Sequence, residues 1–398
     1  MIKKFLDLGY QPLANSYRLN EKSLSKVKND LYKLEVSFDN NSKLVSISKK
    51  VSKQKMFNDE YPYKSSMSKT MLSSFKNLHS QIIKRFNPEK FLEIGSNDGA
   101  LIKNFNKNST ICVEPCANLA KITKKMGYQT YPNYWDTNLS SKLKQKFGTV
   151  NVIYAANTIT HIANLNNVFR AITNILDKKG VLIIEDPSLL ECLKKVSYDQ
   201  FYNEHIYVFS AIAVKNLIKK FNLEIFDIQN LKTHGGSLRY FIKRKENNLY
   251  KVNTSVYKQI NKEINFGLQK LNIYKKFAIS VKNSKIKLIK ILKNLHLNNK
   301  KVIGYGATAK STTVLNYCGI DKNLINFFVD TTPDKANKFM PGKNIKIYKY
   351  NVKLLSDVDY IFLGAWNFKK EILKKEKKFL KRGGKFITHV PYPKIISS

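Results

Sequence analysis

No stretch of this sequence holds the roughly 18 to 20 consecutive apolar residues that a membrane-spanning helix requires. The opening residues, MIKKFLDLGYQPLANSY, lack the apolar core and small-residue cleavage site of a secretory signal, so a soluble cytoplasmic protein is expected. Cysteine is scarce: Cys112, Cys116, Cys192 and Cys318 form no CxxC pair and no disulfide-like spacing. That points to reduced thiols and provides no metal site. Acidic residues are few, 29 against 70 basic ones, for a net charge of +41. Such an excess ordinarily points to nucleic acid or an anionic membrane surface. Arginine, however, is nearly missing, at positions 18, 85, 170, 239, 244 and 382 only, and the remaining basic residues are lysines spread along the chain. Nucleic-acid sites concentrate the planar arginine fork. The charge therefore reads as a bias of composition, shared with abundant Asn and Ile, that still attracts an anionic small molecule; no nucleic-acid or membrane partner is expected.

What is present is enough apolar material, 43% hydrophobic and 12% aromatic over 398 residues, to fill more than one core. Residues 1–75 mix short β-like runs (YKLEVSF, KLVSIS) with an aromatic cluster, YPYKSSMSKTM, and read as a small irregular domain. Residues 76–245 alternate strand-like runs (FLEIG, STICVEP, VNVIYAAN, GVLIIEDP, LEIFDIQN, LRYFIKR) with helical stretches. That alternation predicts an α/β domain with a parallel, doubly wound, Rossmann-like sheet. Residues 246–299 are Lys- and Asn-rich with apolar residues at helical spacing (Phe277, Val281, Leu288, Leu292, Leu295), as in a helical connector. A second Rossmann-like block, 300–398, starts at KKVIGYGATAKSTTVLNY.

Within the first block, Glu93, Gly95, Asn97, Asp98 and Gly99 spell E-x-G-x-N-D-G between a strand and an expected helix. Glycine lets the backbone approach a ligand there, and a helix N-terminus offers unpaired N–H groups. Glu114, at the end of the next strand, is placed to accept hydrogen bonds from both hydroxyls of a ribose. The three-glycine pyrophosphate pattern is missing, and the acid that opens the turn suits a nucleoside carrying an amino acid, whose ammonium Glu93 or Asp98 would meet. Tyr134 and Trp135 could flank an adenine or belong to the core.

Three of the six histidines lie in conspicuous settings, His161 in NTITHI, His205 in FYNEHIYVFS and His234 in THGGSLRY. Asn157 and His161 follow a strand end and should emerge on the ligand-binding edge. Tyr202, Glu204 and His205 combine a base that works near neutral pH, an acid, and a phenol able to donate to an enolate oxygen. In the second block, Gly304 and Gly306 followed by Lys310 and Ser311 form a turn with a cation at the helix start, suited to a diphosphate, and Asp330 ends the next strand where it could bind a hydroxyl. A nicotinamide cofactor would fit that turn equally well.

Taken in order, DLGYQPLANSY, YPYKSSMSKTM, LEIGSNDGALI, VEPCANLA, YAANTITHI, EDPSLL, FYNEHIYVFS, HGGSLRY, VIGYGATAKSTTVLNY, VDTTPDKANKFMPG and AWNFKKEI cover nearly the whole chain. In them the sequence resembles the sugar C-methyltransferases of deoxysugar biosynthesis. The resemblance implies S-adenosylmethionine as cofactor and a nucleotide-activated keto-deoxysugar as substrate. It also implies a small N-terminal domain, a central methyl-donor domain, and a C-terminal domain that helps hold the nucleotide-sugar. It makes His205 the base, with Glu204, Tyr202, Tyr61 and His161 around it, and Asn157 part of the donor site. Tyr63, His234, Gly235, Gly306, Lys310, Ser311, Asp330, Trp366 and Asn367 fall on the substrate side. One departure stands out: the family's N-terminal domain holds zinc through two C-x-x-C pairs. Here the sequence starts after the position of the first, and Asp39 and Ser42 stand where the second would be, so no zinc is expected. Rival readings are a nucleic-acid methyltransferase, a nicotinamide-dependent dehydrogenase and a non-catalytic sugar-nucleotide-binding relative.

Overall fold

The computed structural model describes residues 1–19 and 30–397. Near the N-terminus, β1 (Ile2–Gln11), β2 (Tyr32–Asp39) and β3 (Val45–Ile47) pair antiparallel. Leu6, Leu8, Leu34, Val36 and Phe38 are buried between this sheet and the rest of the protein. Sequence reading passes over β1, whose pairing with β2 shifts between Lys4 and Leu6 and again between Asp7 and Tyr10, where Leu8 lies.

The turn after β2 falls where the resembling family carries its second cysteine pair. There the Asp39 carboxylate accepts hydrogen bonds from Ser42 Oγ (2.6 Å) and from the backbone N–H groups of Asn41 (3.1 Å) and Ser42 (3.3 Å). The Ser42 hydroxyl, more than any other group, brings the Asp39 carboxyl down to about 2. Among the described residues, no group of three or more His, Cys, Asp or Glu side chains is gathered as a metal site would need. Asp39→Ala is expected to lower the melting temperature by about 1–2 °C, the size of a lost capping interaction in a large chain. The folded-state value is depressed, so this contribution is present above the ordinary value of 3.8 and is lost as pH falls through about 2. Calorimetry of both proteins at pH 7 and near pH 2.5 checks it.

The central sheet contains β4 (Phe91–Ile94), β5 (Thr110–Val113), β6 (Gln129–Tyr131), β7 (Val150–Ala156) and β8 (Leu176–Pro187), parallel in the order β6-β5-β4-β7-β8. β4 and β5 are buried at every position, as strands covered on both faces must be. Helices α1 (Lys69–Phe86), α2 (Ala117–Lys125), α3 (Thr137–Phe147) and α4 (Leu165–Ile175) supply the cover. Strand β9 (Tyr207–Val208) leaves this domain and pairs with β3, fastening the small sheet to the central one.

The sheet is not parallel throughout. β10 (Leu223–Leu231) and β11 (Ser237–Arg244) form a hairpin, with β11 inserted antiparallel between β10 and β8. Their five-residue connection, Lys232–Gly236, is too short for a crossover, and His234, Gly235 and Gly236 take positive φ to close it.

Residues 246–299 contain α5 (Thr254–Phe266) and α6 (Leu271–Leu297), and α6 buries Phe277, Val281, Leu288, Leu292 and Leu295. At its start Tyr274 stacks on Phe38 of β2, with ring centroids 4.5 Å apart. The last sheet, β14-β13-β12-β15-β16-β17, has β12 (Val302–Tyr305), β13 (Phe327–Asp330), β14 (Lys346–Lys349), β15 (Tyr360–Leu363) and β16 (Lys385–Thr388) parallel, with β17 (Lys394–Ile396) antiparallel at its edge. Helix α7 (Ala309–Cys318) follows β12. No helix among the described residues is long and apolar enough to cross a membrane.

Candidate active site

Strand order reverses at β4 in the central sheet and at β12 in the C-terminal one, and ligands bind outside the strand ends at such points. Both ends open into one cavity of about 670 Å³, which segments of the N-terminal region also line. On the central-domain side Glu93 is buried at the cavity wall, and its Oε2 has no hydrogen-bond partner. Burial, reinforced by Glu114 and Asp98, pushes its carboxyl well above the ordinary range. An orphaned acceptor of this kind suits the ammonium group of an amino acid. Gly95 follows at φ +77°, and a Cβ there would lie 2.2 Å from Thr158 Oγ1, so only glycine fits. Glu114, at the end of β5, accepts the N–H groups of Asn97 (2.8 Å) and Cys116 (2.9 Å), with lone pairs left for ribose hydroxyls. Asn97, Asn157, Tyr134 and Trp135 line the same wall. These residues fit a nucleoside carrying an amino acid.

The expected helix after the glycine turn is missing. Only a single 3-10 turn, Ile102–Asn104, follows, and Phe105 returns to stack on Phe91 at 4.0 Å. The N–H groups of Gly95 and Ser96 bond to Val113 O, so the turn offers no helix N-terminus and the polar groups it leaves at the cavity wall are the two glutamates. Asp98 and Gly99 do not line the cavity. Asp98 instead accepts the hydroxyls of Ser65 (3.0 Å) and Ser66 and the Ser66 N–H, while Asn97 bonds Ser65 N (2.9 Å) and Tyr63 O (3.1 Å). Gly99 packs under Thr123 and Met126. The segment carrying Tyr61 and Tyr63 is thus bolted to the glycine turn. Asp98→Ala is expected to raise KM for the methyl acceptor about fivefold, the size of roughly one ordinary net hydrogen bond, without changing donor affinity. Steady-state kinetics with donor calorimetry checks this.

Four rings stand side by side across the cavity floor: Phe57 on His161 (5.4 Å), His161 on His205 (5.1 Å) and His205 on Tyr202 (3.9 Å). His205 Nδ1 lies 2.8 Å from Gln200 O, and a carbonyl only accepts, so the proton sits on Nδ1. Its Nε2 lone pair then faces the Tyr202 hydroxyl, 2.5 Å away, which donates to it. Burial brings His161 to about 4 and His234 to about 3. Burial, with His161 and Lys310 nearby, holds His205 well below the ordinary value. All three imidazoles are therefore neutral at neutral pH.

Glu204 stands behind this row and does not line the cavity. Both of its oxygens accept from Asn15 Nδ2 (2.8 and 3.0 Å), and Oε2 also accepts the Tyr61 hydroxyl (3.0 Å). Burial pushes its carboxyl up to about 7, against which the Asn15 and Tyr61 bonds act. Sequence reading missed Asn15 as a site residue, although it sits in the PLAN run.

From the C-terminal side Gly306, Lys310, Asp330 and Asn367 reach the cavity, together with His234 and Tyr63. Gly306 takes φ +88°, and a Cβ there would meet Ala365 at 2.5 Å. Asp330 already accepts from Ala307 N and Thr332 N (2.8 Å each), and Lys335, a further residue missed in the sequence, bonds Ala307 O at 2.7 Å. Ser311, Gly235 and Trp366 do not line the cavity. Ser311 caps α7 and bonds Gly306 O (2.8 Å). Gly235 lies under the Trp366 ring, and the Trp366 indole N–H is spent on Asp199 (2.6 Å).

Residues 67–228 match the family described as methyltransferase domain, and residues 232–391 match that described as C-methyltransferase C-terminal domain. The C-methyltransferase NovU of Streptomyces niveus is 29% identical over 309 residues, covering 77% of this chain and 73% of that protein. These likenesses point to the same activity: the chain is an S-adenosylmethionine-dependent C-methyltransferase. Among solved structures, a methyltransferase of this cofactor class from Thermotoga maritima shares 20% identity at a TM-score of 0.33, over 44% of this chain and 92% of its own. Another from Clostridium acetobutylicum shares 16% at 0.34, over 44% and 90%. S-adenosylmethionine is the cofactor of this C-methyltransferase, and the Glu93 and Glu114 wall is where its residues fit that molecule.

Proposed function

We propose that this enzyme methylates a carbon next to the ketone of a nucleotide-activated keto-deoxysugar, with His205 as the base. The observation that carries the reading is the fixed tautomer of His205. With Nδ1–H held by Gln200 O, a neutral Nε2 is presented at the wall of the cavity that also holds the donor-side glutamates. When bound, S-adenosylmethionine supplies an electrophilic methyl group on a sulfonium centre. A ketone acidifies its neighbouring C–H, and Nε2 takes that proton once Tyr202 O–H turns from it to the ketone oxygen. The phenols of Tyr202 and Tyr61 are pushed well above their ordinary value by burial, so both remain donors to a developing enolate oxygen. The enolate carbon would form the new C–C bond as the methyl–sulfur bond breaks, the electron pair leaving on sulfur as a neutral thioether, and the proton stays on His205 until it leaves to solvent.

The nucleotide part of the substrate fits the C-terminal wall, where Lys310 stands at the start of α7 beside the Gly306 turn. The test is to incubate the enzyme and S-adenosylmethionine with a panel of nucleotide 4-keto-deoxysugars. Mass spectrometry is expected to show the mass of one added CH₂ on one of them, and solvent deuterium exchange at the reacting carbon then reads proton removal alone. Failure of every keto-sugar to gain a methyl group would overturn the substrate class.

A further inference from the structure

Asp199 is fully buried, and its Oδ2 serves two donors from the C-terminal domain, Trp366 Nε1 at 2.6 Å and His389 Nε2 at 3.0 Å. Its Oδ1 and the His389 Nδ1 are buried without partners. A buried acid placed this way is costly compared with apolar packing, so its presence argues for fixed geometry and not for stability. What it fixes is one residue away. Asp199 lies in the 3-10 turn Tyr198–Gln200, and the Gln200 carbonyl holds the His205 Nδ1 proton. The Gln200 side chain donates from Nε2 to His234 O at 2.7 Å, and the six-membered ring of Trp366 covers Gly235 so closely that a Cβ there would lie 2.3 Å from it. One indole therefore braces the turn behind His205 and the turn that carries His234.

We propose that Trp366 is a positioning residue: by docking the C-terminal domain onto Asp199 it sets the Gln200 carbonyl that selects the His205 tautomer. It acts from outside the cavity and touches no substrate. The two domains are then coupled at the base itself, because a loosened Tyr198–Gln200 turn lets the His205 proton move to Nε2 and removes the lone pair. The chemical importance of this coupling rests on the reading of His205 as base.

The test uses the full chain with Trp366→Phe, which keeps the ring and deletes the N–H, and with Asp199→Asn as a second variant should the first fold poorly. The ¹⁵N shifts of His205 are read in the resting protein without substrate, so they report positioning whether or not His205 is the base. The expected result is a mixed or Nε2–H signature, with kcat lowered about tenfold and the acceptor KM and donor affinity within about twofold of the parent, the pattern of an interaction felt in the transition state. An unchanged tautomer in either folded variant overturns the proposal, as does a rise in KM alone. A shifted tautomer with unaltered kcat keeps the positioning and removes the base reading.

Discussion

His205→Ala is expected to lower kcat by about 10²–10⁴-fold, the range over which a positioned general base acts, with donor affinity unchanged. The size follows from what the site supplies to this step. The donor carries its own leaving group, so the chain contributes proton removal, alignment and hydrogen bonds to the enolate oxygen. Only Nε2 of His205 is presented as a neutral nitrogen with its tautomer held, since His161 Nε2 is buried without a partner and His234 Nε2 meets the side chain of Asn157. Donor binding should survive, because Glu93 stands on β4, Gly95 and Glu114 directly follow β4 and β5, and none of their hydrogen bonds passes through residue 205. Single-turnover kinetics with calorimetric titration of S-adenosylmethionine checks both halves. Near-parental turnover in the variant would remove His205 from the base role.

How much of this was legible in the sequence differs from residue to residue. The α/β class and the glycine turn were readable because parallel strands are continuous apolar runs and because glycine directly follows one of them, at Gly95 in a place where no Cβ fits. The buried apolar row of α6 followed from its helical spacing. What depended on contacts distant in sequence was hidden. Asp98 looked like a ligand group and is tied to Ser65 and Ser66, 33 and 32 positions away. Trp366 stood in a motif that the family resemblance assigned to substrate, and its N–H proves to be committed to Asp199, 167 positions away. The same holds for Asn15 on Glu204, across 189 positions. Local pattern identifies which residues carry chemistry, and only the fold shows which of them face the cavity. The missing helix after Gly99 had a different cause. Phe105 turns back to stack on Phe91, in a segment rich in Asn, whose side chains compete for the backbone.

Glu204→Gln is expected to lower kcat about 10²-fold at pH 8 and to abolish an acid limb near pH 7 in the parent enzyme. When His205 takes a proton it becomes a cation inside a buried row of neutral rings, where charge is costly. Glu204 is next in the chain, is bonded to Tyr61 and acts on Tyr202, whose hydroxyl meets His205 Nε2, so we propose it as the carboxylate that offsets that cation. An opposite charge is worth about 1–3 pKa units where it lies within about 4–6 Å, hence roughly 10- to 1000-fold is the expected range for a step that creates the imidazolium. Burial pushes Glu204 up to about 7, so it is ionised above that pH and neutral below. Activity should therefore rise through pH 7 with the Glu204 carboxylate, while His205, held well below its ordinary value, contributes no limb in that range. Glutamine keeps the size of the side chain and removes the charge, so its profile should be low and flat. A pH profile of kcat from 5.5 to 9 for both proteins separates the cases: a limb near 7 that survives in the variant would assign the titration to another group and leave Glu204 as an anchor for Tyr61 and Asn15.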